Sequence, residues 1–368
     1  MIAETTRSSR IRAGCQCELI ESGDTTSTGE DSDLGAKAAW IAWERQRRTT
    51  ELARALGVPL YRLLHDGPRW IRYPVLATHT LGILLRLRPR VLIVQNPSLI
   101  LALLAGLARL PCRYKLIVDR HTNFALGQPA SLRKSVFTMI SDLTIRLADL
   151  TIVTNQPLAS LVASKKGCGF VLPDALPALS GPLQTRQLPG SRNICLVCTY
   201  AQDEPYEEVI RAASLLPPDV FLYITGRLDR ARFSKPTSEI LATSNNIILT
   251  GFLPEDQYIE LIFSVDVIVD LTTLDHCLVC GAYEAVAAGK ALVLSESAAN
   301  RELFGETPVY VTADHDSIRA GIESVLAEVD RRTAMIAEFR TSYRRSWDSR
   351  FKELRDHIRR WIENRKES

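Results

Sequence analysis

The sequence predicts an α/β protein made of two doubly wound domains joined end to end, and three observations carry that reading. The chain has 368 residues, more than one hydrophobic core usually organises, so two domains of ordinary size are expected. Short apolar runs alternate with amphipathic stretches along nearly all of it, which is the rhythm of strands and crossover helices in a parallel sheet. A stretch holding Pro173, Pro177, Pro182 and Pro189 interrupts that rhythm near the middle.

The elements follow in order. Residues 1–34, rich in Ser, Thr, Asp, Glu and Gly and without apolar periodicity, read as a disordered tail. The first domain is expected over 35–172. It opens with the apolar run 38–43, a helix from Glu44 to Leu56 stopped by Gly57, and the run 60–64. Runs at 91–94, 114–118 and 150–153 follow, separated by helical segments at 99–110 and 132–148, and the domain closes near 169–172. The prolines make 173–191 a stiffened linker.

The second domain, 192–345, repeats the pattern. Runs at 193–198, 220–225, 247–250, 265–271 and 291–295 are joined by helices starting at Pro205, starting at Glu255 and centred near Glu284. From about Asp316 the sequence is helical and charged. Residues 346–368 are expected as a separate charged C-terminal helix facing solvent or the first domain, ending in the basic stretch 359–365.

Composition narrows the function classes. With 46% hydrophobic and 24% charged residues, the chain is neither wholly disordered nor an integral membrane protein. Its longest apolar stretch, 99–108, is too short to cross a bilayer. The N-terminus has no secretory h-region, so a cytoplasmic location is expected, with the eight cysteines reduced. Residues 1–200 hold 25 Lys and Arg against 14 Asp and Glu, and 201–368 hold 20 against 28. A basic first half implies either a surface for phosphate, anionic lipid or nucleic acid, or simply two solvated faces of opposite sign.

Doubly wound domains place functional loops beyond the carboxyl ends of their strands. Here these are 43–48, 95–97, 119–123 and Asn155 in the first domain, and 199–203, 226–227, Gly251 and 275–284 in the second. The last is the most informative, running from Asp270 through Asp275, His276 and Cys277 to Glu284, Ala285 and Gly289. The N-terminus of the helix carrying Glu284 aims backbone N–H groups, from about Leu278 through Val279 to Cys280, at an anion such as a diphosphate. A carboxylate one or two turns along can accept both hydroxyls of a ribose. The alternative for Glu284 is an ordinary charged residue on a buried helix with a small-residue face.

This stretch resembles the donor-site motif of nucleotide-sugar glycosyltransferases of the GT-B fold, notably the retaining family 4. There, a Glu, seven residues, and a second Glu with Ala, small residues and Gly lie between two strands. Glu284-Ala285 and Gly289 fit the second half, and the first Glu falls on His276. The resemblance spans most of 36–345 and concentrates in 251–302, where Thr250-Gly251-Phe252-Leu253-Pro254 looks like the loop near the nucleotide base.

The resemblance implies two Rossmann-like domains facing a central cleft. It further implies hexosyl transfer with retention from a UDP- or GDP-linked sugar, held by the second domain, to a glycan or lipid-linked acceptor on the first. Neither a cofactor nor a metal is implied. Glu284 would hold the ribose, and His276 and Asp275, with Cys277 beside them, would face the donor sugar; a polar loop residue is the other reading of His276.

The sequence Asp119-Arg120-His121-Thr122-Asn123 resembles the family's sugar-reaching His, which makes His121 the leading catalytic candidate, for orienting the sugar or moving a proton. A hydrogen-bonded strand-end histidine is the alternative. An inverting enzyme would instead need a base, for which Asp119 or His121 is eligible. Where the family carries an Arg and a Lys to clamp the diphosphate, this chain reads Cys198-Thr199-Tyr200-Ala201-Gln202-Asp203-Glu204-Pro205. Thr199 and Gly226 are then donor-facing candidates, and Arg227 is the replacement cation. These departures keep open a nucleotide-sugar epimerase on the same scaffold and a catalytically silent GT-B partner.

Other motifs are weaker. The sequence has no Gly-x-Gly-x-x-Gly and no Walker A pattern, so a dehydrogenase or P-loop enzyme would lack its phosphate loop. Cys195/Cys198 and Cys277/Cys280 have zinc-like spacing, but the first pair lies in an expected strand, where residues three apart face opposite ways. The segment 69–88 combines Trp70, aliphatic residues and arginines. It fits a helix docking on an anionic membrane surface, or a core-packing helix. Aromatics interleaved with basic residues are too few for single-stranded nucleic acid.

Overall fold

The structure, a computed structural model, describes residues 6–11, 15–20, 32–96, 98–120, 132–179 and 185–364. It divides into two units, Met1–Pro173 with Asp348–Ser368, and Asp174–Trp347.

In the first unit the strands are β1 (Thr6–Ile11), β2 (Cys15–Ile20), β3 (Ala38–Ala42), β4 (Leu60–His65), β5 (Val91–Gln95), β6 (Lys115–Asp119), β7 (Leu150–Val153) and β8 (Gly169–Val171). The helices are α1 (Ser32–Lys37), α2 (Arg47–Leu56), α3 (Arg69–Leu87), α4 (Leu99–Cys112), α5 (Leu132–Leu147) and α6 (Gln156–Ser164). One sheet runs in the order β1-β2-β4-β3-β5-β6-β7-β8. It is parallel from β4 to β8, with β1 and β2 antiparallel at one edge. Every residue of β3 and β5 is buried, as strands covered on both faces must be. Leu76 and Leu84 of α3 and Leu101 and Ala105 of α4 close one face over Ile41, Leu92, Val94 and Leu116.

The first 34 residues correct the sequence reading: where a disordered tail was expected, β1, β2 and part of α1 lie. The strand β2 escapes a hydropathy scan because polar cross-strand pairing holds it. Glu18 sits opposite Arg62 and accepts its Nη1–H at 2.9 Å, and Arg45 reaches the same carboxylate.

The second unit contains β9 (Arg192–Leu196), β10 (Val220–Thr225), β11 (Ile247–Gly251), β12 (Val267–Asp270), β13 (Ala291–Ser295) and β14 (Val309–Val311). Its helices are α7 (Tyr206–Ser214), α8 (Lys235–Thr243), α9 (Glu255–Ser264), α10 (Cys280–Ala288), α11 (Ala298–Phe304) and α12 (His315–Ala327), followed by α13 (Val329–Glu363). The sheet is parallel throughout, in the order β11-β10-β9-β12-β13-β14. The chain walks outward from β9 to β11 and then returns to the other side of β9, so the strand order reverses between β9 and β12. Helices α7 and α12 cover one face through Val209, Ile210, Ile318 and Ile322, and α9 and α10 cover the other through Leu261, Ile262, Ala282 and Val286.

Two expected boundaries shift. The proline-rich stretch 173–191 belongs almost wholly to the second unit, where Leu176 and Leu188 pack against its core. No break falls at 345 either, because α13 is one helix of 35 residues. Its residues up to Trp347 count with the second unit and those from Asp348 with the first. Tyr343 donates to the Asp174 carbonyl at 2.6 Å, and further along Arg90 donates to the Ile362 carbonyl at 2.6 Å.

Candidate functional site

A crevice opens in a doubly wound sheet where the strand order reverses, because the loops on either side leave in opposite directions. In the second unit that point lies between the carboxyl ends of β9 and β12. The loop after β9 is organised by Glu204, whose carboxylate accepts the Thr199 and Ala201 N–H groups at 2.8 and 2.9 Å and the Thr199 hydroxyl at 2.8 Å. The loop after β12 is fastened to it, since Asp203 accepts the Thr272 hydroxyl at 2.6 Å and its carbonyl takes the Thr273 N–H at 2.8 Å. Thr199, expected to face the donor, thus has its N–H and hydroxyl engaged by Glu204. Where clamp cations were sought, the chain places Asp203 and Glu204.

Gly226 follows β10 with φ +111°, and a Cβ there would lie 2.2 Å from the Cys198 carbonyl oxygen. Only glycine lets the two strand ends approach this closely. Arg227 is exposed and forms a two-pronged pair with Asp229 at 3.1 and 3.2 Å. The replacement cation is therefore engaged with a neighbour two residues on.

Helix α10 begins at Cys280, with Val279 extended at its N-cap and Leu278 before it. These are the positions at which helix N–H groups lack intrahelical partners. The N–H of Gly281 is already engaged, donating to Asp270 at 2.7 Å. A Cβ at Gly281 would meet that carboxylate at 2.5 Å. Asp270 is buried at the end of β12, and burial pushes its carboxyl well above the usual carboxylate range. The Gly281 N–H opposes this shift, and the charges of Glu204, Glu284 and Asp203 add to it.

Glu284 lies half-buried in the second turn of α10 and accepts the Tyr258 hydroxyl of α9 at 2.5 Å. Burial first, and the Glu284 charge second, push the Tyr258 phenol far up, so it stays a donor. Asp275 is exposed and His276 half-buried in the same loop, and burial pushes the neighbouring Cys277 thiol up to about 11. Cys195 and Cys198 pack into the cores on opposite faces of the sheet. Among the described residues no group of three or more His, Cys, Asp or Glu is placed to hold a metal.

In the first unit, Asp119 ends β6 fully buried, and Arg48 donates to its two oxygens at 3.1 and 3.3 Å and to the Leu172 carbonyl at 2.9 Å. This corrects the expectation of an accessible base: a carboxylate held by a buried guanidinium is an anchor. Arg120 is equally buried, donating to the Ser141 and Thr144 hydroxyls at 3.0 and 2.8 Å, and burial pulls it down to about 10. His121 lies outside the described residues. Sequence reasoning passed over Tyr258, Glu204 and Asp270; the visible signal for the last was an acid closing an apolar run.

Residues 189–341 match the family model of the glycosyl transferases group 1. The chain is similar in structure to a sucrose-phosphate synthase from Thermosynechococcus elongatus, with a TM-score of 0.74 and 14% identity over 89% of this chain and 99% of that one. It is also similar to HepE of Anabaena, solved in complex with UDP-glucose, with a TM-score of 0.63 and 14% identity over 93% of this chain and 98% of that one. A UDP-forming α,α-trehalose-phosphate synthase from Burkholderia vietnamiensis gives a TM-score of 0.64 at 13% identity over 88% and 99%. No curated protein matches by sequence. Among the described residues no helix is long and apolar enough to cross a membrane. The chain has the GT-B fold, two Rossmann-like units in succession, and its residues 189–341 are similar to the glycosyl transferases group 1 domain.

Proposed function

We propose that this chain transfers a sugar from a UDP- or GDP-linked donor to a glycan or lipid-linked acceptor in the cytoplasm. The observation that carries the reading is Glu284, a half-buried carboxylate beside the crevice of the second unit, aligned by a hydroxyl. A carboxylate holding one hydroxyl keeps acceptor capacity for others, so a ribose diol can bind beside a Tyr258 hydroxyl that holds the carboxylate in place. In transfer, the bond from the sugar's anomeric carbon to the diphosphate breaks and the diphosphate leaves with the electron pair. The acceptor hydroxyl bonds to that carbon, and its proton passes to an oxygen of the departing diphosphate. Charge accumulates on the leaving group, where the first turn of α10 presents N–H groups other than that of Gly281.

The surrounding acids are compatible with an anion, because Glu204 is bound by four donors and burial favours the neutral form of Asp270. In this reading His276 and Asp275 contact the donor sugar, His121 orients it, configuration is retained, and no resident metal or cofactor takes part. The first unit supplies the acceptor side.

Calorimetric titration of the full chain with UDP, GDP and their sugars tests this. Glu284→Ala is expected to weaken donor binding about tenfold or more, the scale of hydrogen bonds to a charged group, with an unchanged unfolding midpoint. Tyr258→Phe should act in the same direction and less. Equal binding by wild type and both variants refutes the ribose assignment. Donor turnover then separates a transfer product from an epimerised donor and from binding alone.

A further inference from the structure

We infer that the outer face of α3, α4 and α5 in the first unit docks on an anionic lipid bilayer. The three helices lie side by side, α4 packed between α3 and α5, and each turns an apolar stripe outward. On α3 the exposed residues Trp70, Pro74, Leu81 and Leu85 recur at helical spacing. On α4 they are Ile100, Leu107 and Leu110, the last 83% exposed. On α5 they are Val136, Met139 and Leu143, beside an open groove of about 720 Å³ that Thr138 and Arg146 also line. Single exposed aliphatics are ordinary, but apolar stripes exposed on three neighbouring helices are the kind of surface that marks a docking face.

Charge names the occupant. Across the three helices the sequence holds seven Lys and Arg and one acid, Asp142; that acid is paired with Lys165 at 3.0 Å, and of the cations Arg72 and Arg109 are paired with Glu44 and Asp149. Arg86 and Arg146 stand exposed at the ends of the α3 and α5 stripes, and Trp70 lies at the start of α3 with Arg69 beside it. Apolar tips with an arginine rim and a tryptophan at the margin match an interface of acyl chains below and anionic headgroups above. A second copy of the chain meets the same patch less well, because a two-fold contact sets arginine rim against arginine rim.

Cosedimentation of the full chain with vesicles reads this without donor or turnover, so it stands or falls apart from the transfer reading. The chain should pellet with vesicles of phosphatidylcholine and phosphatidylglycerol, and about tenfold less with phosphatidylcholine alone or at high salt. Leu107→Glu with Leu110→Glu should lower partition about tenfold or more at an unchanged circular dichroism spectrum. Arg86→Glu with Arg146→Glu, which leaves every apolar contact in place, should do the same. Failure of the wild type to pellet with either vesicle overturns the inference, as does equal partition of all three proteins. A concentration-dependent dimer dissolved by Leu107→Glu also overturns it, since a protein would then cover the face.

Discussion

At the end of β6, Asp119 meets a guanidinium; at the end of β12, Asp270 meets a backbone N–H. Both acids are buried and both close an apolar strand of a doubly wound sheet, yet one is held as an ion pair while burial drives the other toward its neutral form. The first unit thus spends its buried charge on architecture, with Arg48 also tied to Leu172 just after β8. The second keeps acids around its crevice in states that hydroxyl and amide groups can satisfy. A donor carrying a ribose offers the same kind of group, whereas nothing of that kind can displace Arg48.

Breaking each side sharpens the contrast. Arg48→Ala removes one partner of a buried ion pair and is expected to cost about 3–5 kcal/mol, measured as a lowered urea midpoint. A loss under about 1 kcal/mol would make the pair no stronger than a surface bridge and erase the distinction. Gly226→Ala comes next, at about 2 kcal/mol or more, because the positive φ and the Cys198 carbonyl both oppose a Cβ. Its donor affinity should fall with it, since the loops after β9 and β10 move apart; unchanged folding and binding would mean that they need no close approach.

The subtlest test concerns Asp270. Its folded value lies above its unfolded one, so the folded protein binds the proton more tightly. Its contribution is fully present below the unfolded carboxylate value, near about 4, and is lost as pH rises through the folded value. Asp270→Asn keeps an acceptor for the Gly281 N–H but cannot ionise. The variant should therefore gain on the wild type as pH rises through that window, read from urea midpoints across the range. A constant difference would show that Asp270 ionises as an ordinary surface acid.

The fold was legible in the sequence wherever apolar runs and amphipathic helices alternate, because burial on both faces of a parallel strand leaves a continuous signature, as in β5 and β12. It was illegible at β2, whose pairing through Glu18 and Arg62 links residues far apart in sequence. The same limit applies at the site. Glu284 could be singled out from its local motif, but Tyr258 lies 26 residues away on another helix. Asp119 looked accessible because a strand-end acid carries no mark of the Arg48 that covers it, 71 residues earlier.

The split of α13 bears on how the protein is made. The first unit includes the chain from Asp348 onward, with Arg90 bonded to Ile362 and Lys115 set 5.6 Å from the Trp361 ring centre. On the ribosome, the sheet from β3 to β8 waits for the much later segment from Asp348 to emerge before its packing is complete. Loss of a short C-terminal segment is thus felt at the amino-terminal half of the molecule.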